Sequence, residues 1–323
     1  MIQELTVQLA PALAEIRELT LCMVDSVPAH AGMKKLLKEV VENPGKMLRT
    51  TLMLLAAGDA ASGHRDELFA TAAALEMIHA SSLILDDMID DSPLRRDKPT
   101  VQKQYGKPTA LCSGDYLLVT AFAWLMDQGW VSSARELMDA VQAACDGEMI
   151  QHENLHCADV REEAYLAAIR GKTAYAFLAA CRIGCRITGK TAFEKRTLEE
   201  FGELLGIMFQ LRDDLLDWTA EESRLGKPVN EDFAEGVYTL PAIHVFSQEV
   251  PGNRLRALAA KKHLSEEERL EARRLVAEAG GIAYTADYLK KLGARAGELL
   301  DCLPAGPYTA AMRDLVRMLE AEP

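Results

Sequence analysis

Apolar residues recur at intervals of three and four positions along almost the whole chain. One series with this spacing lies on a single helix face: Leu68, Ala72, Leu75, His79, Ser82 and Asp86. Strand-like alternation is hard to find, and the helix-favouring residues Ala, Leu, Glu and Arg dominate the periodic stretches. Turn residues cluster between these stretches, at 43–45, 92–108, 226–236 and 251–252. The pattern predicts an all-α protein in which one large helical domain covers residues 1–323.

The charge of the chain limits its partners. Its 323 residues include 36 Lys and Arg against 49 Asp and Glu, a formal net charge of −13. Broad binding to nucleic acid or to anionic membranes needs a basic surface, so we expect neither.

The longest uncharged apolar runs, such as 116–126, are far shorter than the ~20 residues of a membrane span. No stable membrane anchor is predicted, and the start of the chain lacks the basic segment of a secretory signal, which predicts a cytoplasmic protein.

The seven cysteines are an odd number and include no CxxC pair, so we predict reduced thiols. Cys181 and Cys185 are four residues apart on one predicted helix face. They could bind a metal or oxidise, but small buried side chains in a packed helix explain them better.

Two clusters of aspartates carry the chemistry of the sequence. LILDDMIDD at 83–91 and FQLRDDLLDW at 209–218 each contain a DDxxD motif. At 100° per residue, the three carboxylates of each motif project from one side of a helix. Such crowding is repulsive unless a cation is present, and Mg²⁺ binds through one or two carboxylates, water and phosphate oxygens. The pair of motifs therefore predicts a diphosphate site bridged by several Mg²⁺ ions.

Cationic residues stand near these motifs in the sequence. Arg and Lys are the side chains that grip phosphate, by a bidentate fork and by a point charge respectively. The candidates are Lys46, Arg49, Arg95, Arg96, Lys172 and Lys227. Together with the aspartates they predict two anionic substrates.

The order of these motifs resembles that of the trans-isoprenyl diphosphate synthases, the polyprenyl synthetase family. The resemblance covers most of the chain. Its landmarks are GKMLR at 45–49, EMIHASSLILDDMIDDSPLRRDKPTV at 76–101, GDYLL at 114–118, GEMIQ at 147–151, GKTA at 171–174, FQLRDDLLD at 209–217, GKP at 226–228 and TLP at 239–241.

The resemblance implies helices around a deep central cavity, a homodimer, and head-to-tail prenyl transfer from an allylic diphosphate to isopentenyl diphosphate. About three Mg²⁺ ions would sit in each active site. The implied metal ligands are Asp86, Asp87, Asp90, Asp213, Asp214 and Asp217. The implied contacts of the allylic diphosphate are Arg95, Lys172 and Lys227, and those of isopentenyl diphosphate are Lys46, Arg49, His79 and Arg96. Thr173 and Gln210 would be polar contacts near the reacting carbons.

The chain departs from the family pattern at several positions. Thr50 stands where a Pro commonly follows the arginine of the first motif, and Leu85 stands where His is common before the first aspartate. Asp97 adds a negative charge after the two arginines, and Val237 replaces a lysine, which weakens the expected grip on the allylic diphosphate. A further departure is Pro44-Gly45 in place of two glycines.

Product length depends, in this family, on residues four and five positions before the first aspartate. Here they are Ser82 and Ser81, both small, so we expect a deep floor and a product of twenty carbons or more. Phe122 or Trp124 could form that floor instead.

Other functions fit parts of the sequence. HENLH at 152–156 matches the HExxH pattern of zinc hydrolases, but no clear third ligand is seen. A terpene cyclase or head-to-head synthase would share the fold and one aspartate-bound Mg²⁺ site. A non-catalytic subunit of a heteromeric synthase is the third alternative, although it would have no need of intact aspartates.

Overall fold

The structure is a computed structural model that describes residues 2–43, 45–96, 98–219, 230–261 and 263–321, with backbone only for 2–8. Three predicted or discussed positions lie outside the described residues: Pro44, Asp97 and Lys227.

The described residues form α-helices almost throughout, which confirms the all-α prediction. The first eight helices are α1 Ile2–Ser26, α2 Ala31–Val41, α3 Leu48–Ala57, α4 Arg65–Ile89, α5 Val101–Tyr105, α6 Lys107–Asp127, α7 Val131–Glu153 and α8 Glu162–Ile169. The next eight are α9 Tyr175–Ile187, α10 Ala192–Thr219, α11 Glu231–Glu235, α12 Leu240–Phe246, α13 Val250–Ala259, α14 Glu266–Glu278, α15 Gly281–Asp301 and α16 Pro307–Glu320. A 3₁₀ helix covers Gly58–His64 and a π-helical turn covers Arg170–Ala174.

Local sequence signals set several of these helix ends. The Ser265 hydroxyl accepts a hydrogen bond from the Glu268 amide, and the Glu268 carboxylate accepts one from the Ser265 amide, so α14 begins with a capping box. Pro241 occupies the first turn of α12, where its missing N–H costs nothing. A single two-residue hairpin interrupts the helices in the part of the chain described, with β1 Leu94–Arg95 antiparallel to β2 Lys98–Pro99.

Contacts divide the chain into two units. The first contains Met1–Val141 and Ala179–Lys195, and the second contains Gln142–Leu178 and Arg196–Pro323. The first DDxxD motif belongs to the first unit and the second motif to the second unit. The prediction of one domain over 1–323 stays a prediction.

The core of the first unit lies between α4 and α6. Leu68, Met77, Leu117 and Leu125 are fully buried there, and each such side chain stabilises the fold by about 1.5–3 kcal/mol. All seven cysteines are free thiols, and Cys181 and Cys185 are buried on α9 as small apolar side chains. The packing holds the end of α4, where the first aspartates lie, against a rigid partner helix.

The second unit places an aromatic cluster below the second motif. Trp218 packs edge-on against Phe233 with ring centroids 5.6 Å apart, and Phe233 continues to Tyr238 at 5.3 Å. Trp218 also donates a hydrogen bond from its indole nitrogen to the Thr239 hydroxyl at 3.1 Å. The end of α10 is thereby fixed to α11 and to the TLP segment.

Two stretches are long and apolar enough, by length and composition, to cross a membrane: Leu48–Ile89 and Lys107–Asp127. The prediction of no membrane anchor rests on uncharged runs, whereas both of these stretches contain charged residues, so it stays a prediction. Two thirds of the first window is buried inside the fold, at 67%, as in a core helix, whereas the second window is 39% buried.

Candidate active site

The first aspartate motif lies at the carboxyl end of α4, where its carboxylates face different surroundings. Asp87 is buried, Asp86 is partly exposed and Asp90, at the helix C-cap, is exposed. Arg95 donates a hydrogen bond from Nε to Asp87 Oδ1 at 2.8 Å, an ion pair in which the carboxylate is nearly inaccessible. A charge-assisted bond of this kind fixes both side chains. Asp87 therefore holds Arg95, and the other two aspartates of the motif are more exposed than Asp87.

The hairpin after α4 brings the two arginines back to the helix end. Arg96 occupies the turn with φ 50°, a left-handed conformation that is uncommon outside glycine. Gly45, with φ 78°, lies against the Arg96 guanidinium, and a Cβ added at Gly45 would come within 2.6 Å of its Nη2. A glycine before Lys46 thus leaves space for the Arg96 side chain, and GKMLR and SPLRRD, which are far apart in the sequence, meet at this point.

Arg49 and His79 form a second contact in the same unit. The Arg49 Nη1 atom is 3.3 Å from His79 Nε2. Burial lowers the pKa of His79 well below its usual value, and the nearby charges of Arg49, Arg95 and Arg96 lower it further. His79 is therefore neutral at pH 7, so its Nε2 can accept a hydrogen bond from Arg49.

A cavity of about 1000 Å³ opens beside these residues in the first unit. Its polar wall contains Asp87, His79, Arg95, Arg96 and Lys98, and its apolar wall comes from α1, α2 and α4: Leu13, Leu36, Val40, Leu83 and Ile84. Lys46 is exposed and falls between two lining residues, Gly45 and Met47. The cavity joins phosphate-binding groups to an apolar surface, which suits a small amphiphilic phosphate ester.

The second aspartate motif lies near the carboxyl end of α10. Asp213 is exposed, Asp217 is partly buried and Asp214 is buried. Tyr165 donates its hydroxyl to Asp214 Oδ2, and Gln210 donates from Nε2 to Asp214 Oδ1 at 2.9 Å. Both oxygens of the middle aspartate are thus occupied by neutral donors.

The predicted polar contacts Thr173 and Gln210 meet in the same network. The Thr173 hydroxyl donates to Gln210 Oε1 at 2.9 Å, which leaves the Gln210 amide nitrogen to donate to Asp214. The structure therefore joins these two residues to the second motif through the protein, as supports of Asp214.

Burial dominates the electrostatics of the second motif. It raises the pKa of Asp214 to about 7 and that of Asp217 to about 6, and repulsion from neighbouring carboxylates adds to both shifts. Asp217 Oδ1 accepts a hydrogen bond from the Glu231 amide at 3.2 Å, whereas Asp217 Oδ2 is buried without a hydrogen-bond partner. Burial also raises the pKa of Asp232 well above its usual value, and Asp217 contributes next. An orphaned carboxylate oxygen amid other carboxylates is the chemistry that a hard divalent cation satisfies.

The donors fit Mg²⁺ in number as well as in kind. Within the described ranges, no three Asp, Glu, His or Cys side chains are arranged as a ready-made cage for a metal. Mg²⁺ uses one or two protein carboxylates and completes its octahedron with water and substrate phosphate, so carboxylates with some exposure to solvent, such as those of Asp86 and Asp213, suit it.

Lys172 lies in the π-helical turn and is held by α7. Its Nζ is 2.6 Å from Glu148 Oε2 and 3.5 Å from Gln151 Oε1. The turn and α7 approach closely at two glycines: a Cβ on Gly147 would come within 2.3 Å of the Lys172 nitrogen, and one on Gly171 within 2.5 Å of the Ala143 carbonyl oxygen. The GEMIQ and GKTA landmarks are therefore a packing contact that presents Lys172.

The HENLH segment does not form a zinc-hydrolase helix. Helix α7 ends at Glu153, and His156 lies beyond it with φ 57° and its amide bonded to the Gly236 carbonyl at 2.8 Å. The two histidines are not on one turn of a continuous helix, so the spacing that HExxH requires is absent here.

Sequence reasoning missed four residues that the structure brings into these clusters: Glu76, Glu148, Tyr165 and Asp232. Glu76 is three positions before His79 and so lies on the same face of α4, a signal that the sequence offered. Glu148 and Asp232 stand inside or beside the landmark segments. Tyr165 is 49 residues from Asp214, and nothing in the local sequence indicates the contact.

In the part of the chain described, the protein is all-α and carries two aspartate motifs near helix ends, one beside a cavity lined by His79, Arg95 and Arg96 and one in a buried carboxylate cluster. Residues 30–276 match the model of the polyprenyl synthetase family. The chain is 32% identical over 284 residues to the octaprenyl diphosphate synthase of Escherichia coli, covering 86% of each, and 33% identical over 275 residues to component 2 of the heptaprenyl diphosphate synthase of Geobacillus stearothermophilus, covering 84% of each. A crystal structure of a decaprenyl diphosphate synthase from Rhodobacter capsulatus has a TM-score of 0.91, with 28% identity and coverage of 99% of this chain and 98% of that one.

The chain belongs to the polyprenyl synthetase family, and it is a prenyltransferase of the trans-polyprenyl diphosphate synthase class.

Proposed function

We propose that this synthase condenses an allylic diphosphate head-to-tail with isopentenyl diphosphate and releases a product of twenty carbons or more. One observation carries the proposal: the first aspartate motif shares its unit with a cavity whose wall includes His79, Arg95 and Arg96 beside the motif. A carboxylate cluster that only bound a metal would not need cationic side chains next to it. Cations next to it suit the diphosphate of a second substrate, which a cyclase does not have.

The outer aspartates are the proposed Mg²⁺ ligands. Asp86 and Asp90 in the first motif, and Asp213 and Asp217 in the second, present carboxylates that can bind an ion together with diphosphate oxygens. Asp87 and Asp214 have their carboxylates engaged by protein donors, so we assign them to orienting Arg95 and the Gln210 network. We propose about three Mg²⁺ ions per active site.

The bound Mg²⁺ would supply positive charge that stabilises the departing diphosphate. Arg95, Lys172 and Lys227 steady that diphosphate as its bond to the allylic carbon breaks. Arg49, Arg96, Lys46 and His79 hold isopentenyl diphosphate, whose double bond forms the new carbon–carbon bond with the allylic cation. A proton then leaves the adjacent carbon, with the departing diphosphate as its acceptor. The protein needs no nucleophile, because fixed charges and a dry environment carry the reaction.

Product length is proposed from small residues before the first aspartate and from the relatives. Ser81 is buried and donates its hydroxyl to the Gly114 carbonyl at 2.8 Å, so it lies in the contact of α4 with α6, while Ser82 bonds the His79 carbonyl of its own helix. Phe122 and Trp124 pack partly buried against the same core. The similar synthases named for octaprenyl and heptaprenyl products support a long chain.

A second copy of this chain is the proposed partner. Helix α6 and the start of α7 expose large apolar side chains: Leu111, Val119, Met126 and Val131. Exposed apolar surface of this extent favours association. Because one relative is named as component 2 of a heptaprenyl synthase, a different subunit is the competing occupant. The molar mass in solution, measured by light scattering, distinguishes a dimer from a monomer that awaits another subunit. A cytoplasmic location stays part of the proposal.

The decisive assay incubates the purified chain with Mg²⁺, labelled isopentenyl diphosphate and, in separate tubes, dimethylallyl, geranyl or farnesyl diphosphate. We expect prenyl diphosphates of at least twenty carbons, and their loss when Asp86→Ala is used. A product that stops at fifteen carbons would contradict the chain-length proposal. No elongation would favour a non-catalytic subunit, and a hydrocarbon released without isopentenyl diphosphate would favour a cyclase.

A further inference from the structure

A buried hydrogen bond joins α3 to α4 beneath Arg49. The Thr50 hydroxyl donates to Glu76 Oε1 at 2.5 Å, and both residues are almost inaccessible, at 0% and 5% exposed. A threonine hydroxyl in a helix commonly bonds the carbonyl four residues back. Its neighbour Thr51 does so, with Oγ1 2.9 Å from the Met47 carbonyl oxygen. Thr50 instead crosses to the carboxylate of another helix.

The geometry places this carboxylate where it acts on Arg49. Glu76 and His79 are three positions apart on α4 and so share a face, and His79 Nε2 is 3.3 Å from Arg49 Nη1. Arg49 and Thr50 are adjacent on α3, so the α4 groups that face this part of α3 include the Glu76 carboxylate and the neutral His79 imidazole, and the charge of Asp86 on the same helix also acts on Arg49. A buried guanidinium without a counter-charge would be costly, and Glu76 supplies that charge.

The electrostatics agree with this arrangement. Burial lowers the pKa of Arg49, while Glu76 and then Asp86 raise it. Burial raises the pKa of Glu76, and the Thr50 hydrogen bond and then the Arg49 charge lower it. A donor that bonds the ionised form of a carboxylate favours that form, so Thr50 opposes the neutralisation of Glu76.

We propose that Thr50 and Glu76 are positioning residues for isopentenyl diphosphate: the Thr50 hydroxyl fixes the Glu76 carboxylate, and that carboxylate fixes the Arg49 guanidinium. Neither residue touches the substrate. The inference rests on the proposed function, because it assumes that Arg49 grips the diphosphate of isopentenyl diphosphate. It concerns this chain in particular, since Thr50 stands where a Pro, which has no hydroxyl, is common.

The test compares Thr50→Val with Thr50→Ser, and uses Thr51→Val as the matched control. Valine keeps the shape of threonine and removes the hydroxyl, serine keeps the hydroxyl, and Thr51 lies on the same helix with only a backbone bond. Because the lost hydroxyl leaves the carboxylate that fixes Arg49 without its donor, we expect the KM for isopentenyl diphosphate to rise about tenfold or more in Thr50→Val. We expect kcat and the KM for the allylic diphosphate to change less than about twofold, and both Thr50→Ser and Thr51→Val to resemble the wild type.

Binding of isopentenyl diphosphate alone, measured by calorimetry, gives a second readout that does not need turnover. Its Kd should rise in Thr50→Val by the same factor as the KM. If Thr50→Val does not fold, Glu76→Gln takes its place, since it keeps the shape and removes the charge. An active wild type together with an unchanged KM and Kd in Thr50→Val would overturn this inference alone. Equal changes in both KM values with no rescue by serine would also overturn it, whereas a wild type that binds isopentenyl diphosphate but elongates nothing would overturn the proposed function.

Discussion

The two aspartate motifs have the same sequence pattern and the same helical geometry, yet their surroundings differ. In the first, the middle carboxylate, that of Asp87, forms an ion pair with the guanidinium of Arg95. In the second, the middle carboxylate of Asp214 accepts from a phenol and an amide, and its pKa rises to about 7. A DDxxD motif therefore does not determine the charge of its own site. The partner that the fold places against the middle aspartate does.

This difference suggests that the two aspartate clusters play different parts in binding the metal and the diphosphate. In the first cluster, Arg95 is already paired with Asp87, so this side chain is preorganised to receive diphosphate. In the second cluster, burial and mutual repulsion disfavour three ionised carboxylates. Its aspartates therefore hold protons near neutral pH until a cation compensates their charge. Metal binding at the second cluster should consequently release protons.

The largest expected effect is the loss of an outer ligand in either motif. Asp86→Ala and Asp213→Ala each remove a proposed direct ligand of Mg²⁺, which stabilises the leaving group by several kcal/mol, so we expect kcat to fall about 10²–10³-fold in each. Steady-state kinetics over a Mg²⁺ titration measure it. A loss below about tenfold in one of the two variants would show that its motif does not hold a catalytic ion.

Variants at the middle aspartates or at their hydrogen-bond partners should lose less activity than these, and by unequal factors. Asp87→Asn removes the charged acceptor of Arg95, a bond of about 1.5–3 kcal/mol, so kcat/KM for the allylic diphosphate should fall about 10–100-fold. Tyr165→Phe removes a neutral donor from Asp214, and a loss of about tenfold or less is expected. Both variants are close in shape to the wild type, which makes them a matched pair. Equal losses would remove the distinction between an ionic and a neutral support.

The smallest expected effect is a pH dependence of stability. Between about pH 6.5 and 8, folded Asp214 with its pKa of about 7 still binds a proton that the unfolded chain, with an ordinary aspartate pKa of about 4, has already lost. The stability this proton contributes is present at low pH and is lost as the pH rises through about 7. His79 does not interfere, because above pH 6.5 it is mostly neutral in both states.

Calorimetric unfolding of the wild type at pH 6.5 and pH 8, with and without Mg²⁺, tests this expectation. The Tm without metal should be lower at pH 8 by a few degrees, and Mg²⁺ should raise it more at pH 8 than at pH 6.5. Asp214→Asn is the control, since this position then cannot titrate; it should lose part of the difference, and the buried Asp232 accounts for the rest. A wild type whose Tm is insensitive to pH in this range would contradict the raised pKa.

The sequence by itself determined what depends on local spacing. The three- and four-residue period dictates helices, because a 3.6-residue turn can bury only residues that recur at that interval. The same arithmetic places each DDxxD on one side of a helix, and the carboxylates predict Mg²⁺ without reference to the rest of the chain. The order of the landmarks was sufficient to predict the family.

Only the tertiary structure decided which partners those local features meet. Asp87 with Arg95 was within reach of a sequence argument, since eight residues separate them. Tyr165 with Asp214 and Thr50 with Glu76 were not, because a hydrogen bond depends on distances within about 3 Å, and sequence spacing fixes no such distance between separate helices. Burial acts in the same way: the pKa of a carboxylate follows from the solvent that packing excludes, and packing is a property of the whole fold.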